Sequence, residues 1–205
     1  MTERLARRLA RIGGWTVVAC TLLLVVDWAV ADRMREVAGA ASPEEVARAV
    51  DRLAAEISAL LGDANPLALT VMTGGIFFAG QLLPRLAFPL ECDYLHATRY
   101  RNTTQGHDIE WIAEPRTPVA GRTVLLLDDI LDEGVTLAAI KQRLLAQGAR
   151  ECITAVLTEK RLGHAKPISA EFVGLTLPDR YVFGCGMDVK GAWRNLPAIY
   201  AVRGL

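Results

Sequence analysis

Val124-Leu125-Leu126-Leu127 is a continuous apolar run that passes directly into Asp128-Asp129-Ile130-Leu131-Asp132-Glu133-Gly134-Val135-Thr136. An apolar run without alternation fits a strand covered on both faces, the situation of parallel sheets with helices above and below. Parallel neighbours need crossover connections, so this feature directs the chain to the α/β class. The flanking sequence agrees. Ser42-Pro43-Glu44-Glu45 supplies an N-cap, a proline at the first helical position and a capping-box glutamate. It opens a helix to about Leu61 with a core stripe of Val46, Val50, Leu53, Ile57, Leu60 and Leu61. Leu67 to Met72 reads as a buried strand leading into Gly74-Gly75 and a helix from Ile76 to Leu86. Further strands are expected at Leu90 to Ala97, Ile109 to Ala113, Thr123 to Leu127, Glu151 to Thr158 and Phe172 to Leu175, with a helix from about Val135 to Gln147 ended by Gly148. Ligands of such sheets bind beyond the carboxyl ends of the strands, which points to the turns after Met72, Leu127 and Thr158.

The segment after Leu127 carries four carboxylates, Asp128, Asp129, Asp132 and Glu133. One aspartate there could simply cap the next helix. Several together repel one another, and a fold tolerates that more readily when cationic or polyhydroxy ligands occupy the site. The backbone from Asp132 to Thr136 can wrap its N–H groups around an anion, with Gly134 permitting close approach and Thr136 adding a hydroxyl. An acid pair beside a phosphate nest suits a sugar phosphate.

Composition narrows the partners. In 205 residues, 23 basic side chains balance 23 acidic ones, which removes the electrostatic footprint of a dedicated nucleic-acid binder. Cys20, Cys92, Cys152 and Cys185 form neither CxxC nor any zinc spacing, and a reducing cytoplasm is the simpler setting. His96, His107 and His164 are widely spaced, give no metal signature and are read as peripheral. The N-terminus is different. Arg4, Arg7, Arg8 and Arg11 precede an uncharged stretch from Ile12 to Val26, and Ala29-x-Ala31 completes a signal-peptide-like pattern. The stretch is shorter than the ~18–20 residues of a spanning helix. The favoured reading is an appended apolar helix or an extension from a misplaced start codon over 1–41, with membrane contact through 12–31 not expected.

The segment Val124 to Leu137 resembles the diagnostic motif of the type I phosphoribosyltransferases: an apolar strand, two acidic residues, two apolar residues, then Asp-x-Gly-x-Thr. GxxxxGK[ST] and GxGxxG, the competing phosphate loops, are absent. Further matches resemble the hypoxanthine-guanine branch of that family and cover about Ser42 to Leu205. The resemblance implies a mostly parallel twisted sheet flanked by helices, with a small hood over the base site formed mainly by 160–205. It implies purine salvage: transfer of a 5-phosphoribosyl group from phosphoribosyl pyrophosphate to N9 of hypoxanthine or guanine, extending to xanthine, with release of pyrophosphate. Magnesium and a homodimer or homotetramer come with it.

Residue by residue, the resemblance gives Thr73, Gly74 and Arg194 to the pyrophosphate, and Asp128, Asp129, Asp132, Glu133, Gly134, Val135 and Thr136 to the ribose and 5′-phosphate. Tyr100, Arg101, Asn102, Thr103 and Thr104 fall in the flexible loop that closes over the reacting centre. Lys160 would read the 6-oxo group, Tyr181 would stack on the base, and Val182 would meet its edge through the backbone. Asp128, Asp129 and Asp188 would lie at the magnesium, and Asp132 would handle the proton at N7 as the catalytic acid–base group. Cys185 and Trp193 are given packing roles. The chain departs from the family pattern at Thr73 and Val135, where a basic residue is common, and at Glu133, where Ser or Thr is common; Glu133 is expected to point outward. Alternatives within reach of the sequence are a regulatory RNA-binding relative that keeps the phosphoribosyl pyrophosphate site, and a transferase preferring xanthine.

Overall fold

In a computed structural model of the chain, which describes residues 37–99 and 109–202, the capping box is closed. The Ser42 hydroxyl accepts from the Glu45 amide at 3.2 Å, and the Glu45 carboxylate accepts from the Ser42 amide at 2.7 Å. Two orphan amides are thereby satisfied where helix α1, Pro43–Leu61, begins. Val46, Val50, Leu53, Ile57 and Leu61 are buried as the stripe requires. Leu60 is not: it is 59% exposed, because in the final turn Leu61 takes the core position instead.

Strand β1 (Val37–Ala41) precedes α1. After it come β2 (Leu67–Val71), α2 (Ile76–Leu82), a 3-10 turn (Leu83–Arg85), β3 (Glu91–Arg99), β4 (Ile109–Ala113), β5 (Thr123–Leu131), α3 (Val135–Ala146), β6 (Glu151–Arg161), β7 (Phe172–Pro178), β8 (Val182–Phe183) and β9 (Ile199–Val202). The expected helix to Leu86 stops at Leu82, since Pro84 has no amide to continue it and the chain tightens into the 3-10 turn. Gly39–Ala201 forms one compact unit, which carries the site described below, and the tract 1–36 lies outside the described residues. Among the described residues, no helix is long and apolar enough to cross a membrane.

The main sheet has the order β4-β3-β2-β5-β6-β7, and a small sheet has the order β1-β9-β8. Only β3 and β4 run antiparallel in the main sheet. Alternation along β5 feeds two cores: Leu125 and Leu127 join the core with α1 and α2, while Val124 and Leu126 join the core with α3. Each such fully buried leucine contributes about 1.5–3 kcal/mol of transfer free energy. At the β7 edge, Arg52 of α1 donates to the carbonyls of Val173 at 2.9 Å and Gly174 at 2.7 Å.

Three strands run further than their apolar runs. The β5–β6 register continues through Asp128↔Val156, Ile130↔Thr158 and Leu131↔Glu159, and that of β6–β7 through Lys160↔Leu177 and Arg161↔Pro178. Asp128, Asp129 and Lys160 therefore sit on strand ends, not in turns as expected. The Thr158 hydroxyl reinforces this by donating to the Asp129 carbonyl at 3.0 Å.

Candidate active site

Asp128 and Asp129 stand together at the carboxyl end of β5, where two cavities open; both line the first, and Asp129 lines the second as well. One, of about 380 Å³, is lined by Thr73, Gly74, His96, Asp128, Asp129, Asp132, Glu133, Gly134, Thr136 and Arg194. The other, of about 730 Å³, is lined by Asp129, Asp132, Thr136, Lys160, Tyr181, Val182, Asp188 and Arg194. Asp129, Asp132, Thr136 and Arg194 belong to both, so the two cavities form one continuous site. Residues from β2, β5, β6 and the segment after β7 that are far apart in sequence are thus brought together.

Electrostatics at the acid pair are unfavourable on their own. Burial, and after it the charge of Asp129, pushes the Asp128 carboxyl well above the ordinary carboxylate range; burial pushes Asp129 up too. The Asp129 amide donating to the Asp128 carboxylate at 2.9 Å offsets part of this. Gly74 packs against the second of the pair: a Cβ there would lie 2.2 Å from Asp129 Oδ2, so a larger residue would have to displace that carboxylate. The peptide between Met72 and Thr73 in that turn is cis.

The turn after β5 is shaped by Gly134, whose φ of +78° caps α3 without any side-chain cap. The first amides of α3 have no partner within the helix, and Gly134, Thr136 and Leu137 line the first cavity. Glu133, expected to point outward, pairs with the exposed His164 at 3.0 Å while still lining the rim of the first cavity. Asp132 and Lys160 form a pair at 3.1 Å on the wall of the second cavity. Beneath them lies Lys166, a residue the sequence did not single out: its ammonium donates to the carbonyls of Leu131 at 3.0 Å and Lys160 at 2.6 Å and to Glu159 at 3.1 Å. It thereby ties together the two strand ends that carry Asp132 and Lys160.

The segment from β8 to β9 closes the second cavity. Its turns use positive φ at Cys185, Lys190 and Trp193, and backbone bonds from Cys185 to Leu196 and from Gly186 to Arg194 hold them at 2.9 Å. Arg194 donates to Asp188 at 2.6 Å and to the Gly186 carbonyl at 2.5 Å, and stands 3.8 Å from Asp129. The Tyr181 hydroxyl donates to the Asp188 carbonyl at 3.2 Å while the residue stays 43% exposed. Cys185 is buried, with its thiol pushed up to about 12 by that burial. Trp193 packs only in part: it is 38% exposed, at a turn position with positive φ. Of the histidines read as peripheral, His164 is exposed and paired with Glu133, whereas His96 lines the first cavity. His107 and the predicted loop residues Tyr100, Arg101, Asn102, Thr103 and Thr104 lie outside the described residues. Among the described residues, no three acidic, histidine or cysteine side chains converge as a metal-binding group, so Asp188 does not join Asp128 and Asp129 in one.

A parallel sheet whose central strand ends in paired acids, followed by a glycine turn into a helix and faced by a separate hood segment, defines the type I phosphoribosyltransferase fold. The phosphoribosyl transferase domain model matches residues 42–190, and the chain belongs to that family. It is similar to the hypoxanthine-guanine phosphoribosyltransferase of Bacillus subtilis, with 33% identity over 77% of this chain and 88% of that protein. The hypoxanthine-guanine-xanthine phosphoribosyltransferase of Tritrichomonas foetus is 31% identical over 76% of this chain and 86% of its own. A solved structure of a hypoxanthine-guanine phosphoribosyltransferase from Bacillus anthracis superposes with a TM-score of 0.76 at 25% identity, over 80% of this chain and 98% of that one.

Proposed function

We propose that the protein is a cytoplasmic purine-salvage enzyme that transfers the 5-phosphoribosyl group of phosphoribosyl pyrophosphate to N9 of hypoxanthine or guanine. The observation that carries this reading is the Asp132–Lys160 pair at 3.1 Å on the cavity wall. O6 and N7 are adjacent on one edge of a 6-oxopurine; a cationic donor beside a carboxylate acceptor addresses an oxo group next to a protonated N7. Adenine presents a donor where Lys160 also donates, and is rejected.

In the reaction, the bond from N9 to C1′ forms as the bond from C1′ to the pyrophosphate oxygen breaks. Asp132 holds the proton of N7, and Lys160 draws electron density toward O6. Backbone amides from Asp132 to Thr136, with the Thr136 hydroxyl, bind the 5′-phosphate at the amino end of α3. Asp128 and Asp129 bind the ribose hydroxyls, while Thr73, Gly74 and Arg194 receive the leaving group. Tyr181 and the backbone of Val182 hold the base and exclude water from the activated sugar. The oxygen-only donors Asp128 and Asp129 suit a hard divalent cation, and magnesium typically pairs one or two carboxylates with substrate phosphates. This fits two carboxylates without a third better than a resident metal site does. Magnesium would supply neutralising charge to the pyrophosphate.

Xanthine is a second acceptor on this reading, favoured by the likeness to the Tritrichomonas foetus enzyme. The test is a spectrophotometric assay of purified protein with phosphoribosyl pyrophosphate and magnesium against hypoxanthine, guanine, xanthine and adenine. Turnover of the oxopurines alone is expected, and Lys160→Ala should lower the ratio of hypoxanthine to adenine kcat/KM. Turnover of adenine by the native protein, or of none of the bases, would overturn the assignment. Sedimentation velocity should return a homodimer or homotetramer.

A further inference from the structure

Strand β3 carries a bulge between His96 and Ala97, and bulges beside active sites commonly re-aim a side chain. Leu95 and Ala97 are buried in the core with α3, and the Leu95 carbonyl accepts from the Met72 amide at 2.7 Å. The residue between them is thereby held next to the Met72-Thr73-Gly74 turn. Half-buried, His96 lines the first cavity together with Thr73, Gly74, Asp128 and Asp129.

Charge in this cavity is unevenly distributed. Asp128, Asp129, Asp132 and Glu133 line it, and among the described residues that line it only Arg194 and His96 can carry positive charge. Arg194 is already engaged by Asp188 and the Gly186 carbonyl. Among the described residues, no hydrogen bond or ion pair engages the His96 ring. Thr73 and Val135 bring no charge of their own to the two phosphate-facing turns. An imidazole offers one N–H donor when neutral and two when protonated, so it serves an anion in either form.

Given the phosphoribosyl transfer proposed above, on which this inference rests, we propose that His96 is a ligand of the pyrophosphate leaving group, donating from its ring to a phosphate oxygen and supplying the cationic function that Thr73 leaves out. Asp128 and Asp129 hold the sugar side of the same cavity, so the ring works on the leaving group and not on the base.

The experiment is calorimetric titration of the full chain with inorganic pyrophosphate and magnesium, alongside initial-rate kinetics, for the native protein, His96→Ala, His96→Gln and His96→Lys. His96→Ala should weaken pyrophosphate binding and raise the KM for phosphoribosyl pyrophosphate about tenfold, the loss typical of a hydrogen bond to a charged group. The KM for hypoxanthine should stay as it is, and His96→Lys should restore pyrophosphate affinity where His96→Gln does not. A packing role would yield neither that split nor rescue by lysine. Unchanged pyrophosphate affinity in His96→Ala, or a loss shared equally by hypoxanthine and not restored by lysine, would overturn the His96 assignment while leaving the transfer reaction standing. A native protein that transfers no phosphoribosyl group and binds no pyrophosphate would overturn both.

Discussion

The carboxyl end of β5 and the segment from β8 to β9 face the same cavity, yet they are built in opposite ways. Asp128 and Asp129 stand on a strand paired in register with β6, and the turn that follows leads straight into α3. The opposing wall has a two-residue strand and turns with positive φ at Cys185, Lys190 and Trp193, held by backbone bonds within the segment and by Val182, Cys185 and Met187 buried in the core with α1 and α2. A sheet end fixes every position through paired neighbours, whereas an irregular wall anchors a few buried side chains and leaves those between them exposed. The sugar side of the site should therefore be rigid and coupled to global stability, and the exposed side chains of the base side, such as Tyr181, should be replaceable at little structural cost.

Substitutions can break that contrast or sharpen it. The largest effect is expected for Leu126→Ala: the side chain is fully buried at the centre of the sheet, and its loss should lower the unfolding free energy by roughly 2–5 kcal/mol, measured by chemical denaturation. A loss confined to the surface range would show that the sheet is not the stabilising frame. Next comes Asp132→Asn, expected to lower kcat by about 10²-fold or more with the melting temperature little changed, as for a lost acid–base group. Near-native turnover would remove its role. Tyr181→Ala should raise the KM for hypoxanthine about tenfold through lost stacking while chemical stability stays within about 0.5 kcal/mol, as at exposed positions. A large drop in stability would put the hood segment in the same cooperative unit as the sheet.

The smallest effect carries a sign. Both acids have their pKa raised in the folded protein, so folding favours their protonated forms; their contribution is most favourable below the ordinary carboxylate range and is lost as pH rises through the raised values. Asp128→Asn should then raise the melting temperature by a few degrees at neutral pH and by nothing in acid, where the native pair is already protonated. A lower melting temperature at neutral pH would mean the pair is stabilising as it stands.

Local signals were legible in the sequence wherever the cause is local. The α1 capping box, the β2 and β5 apolar runs and the Asp132-to-Thr136 turn are each determined by neighbours along the chain, and all are found where they were read. Strand ends were not, because Asp128, Asp129 and Lys160 are polar and read as turn until pairing with the next strand is known. Lys166 and His96 escaped for a related reason: a single lysine or histidine has no pattern, and only the fold brings one under two strand ends and the other beside Thr73. Fold class and the acidic half of the site thus follow from short stretches of sequence, whereas the second half depends on contacts between distant segments.

Arg52 has a role in solution behaviour as well as in packing. Strand β7 is the last of the main sheet, and an outermost strand with unclaimed carbonyls is a template onto which another polypeptide can add. By occupying the carbonyls of Val173 and Gly174 from α1, Arg52 denies that template to a neighbour. Helix α1 thus guards the margin of the sheet against fibril-like growth, a service that would register in shelf life and concentration tolerance before it registered in turnover.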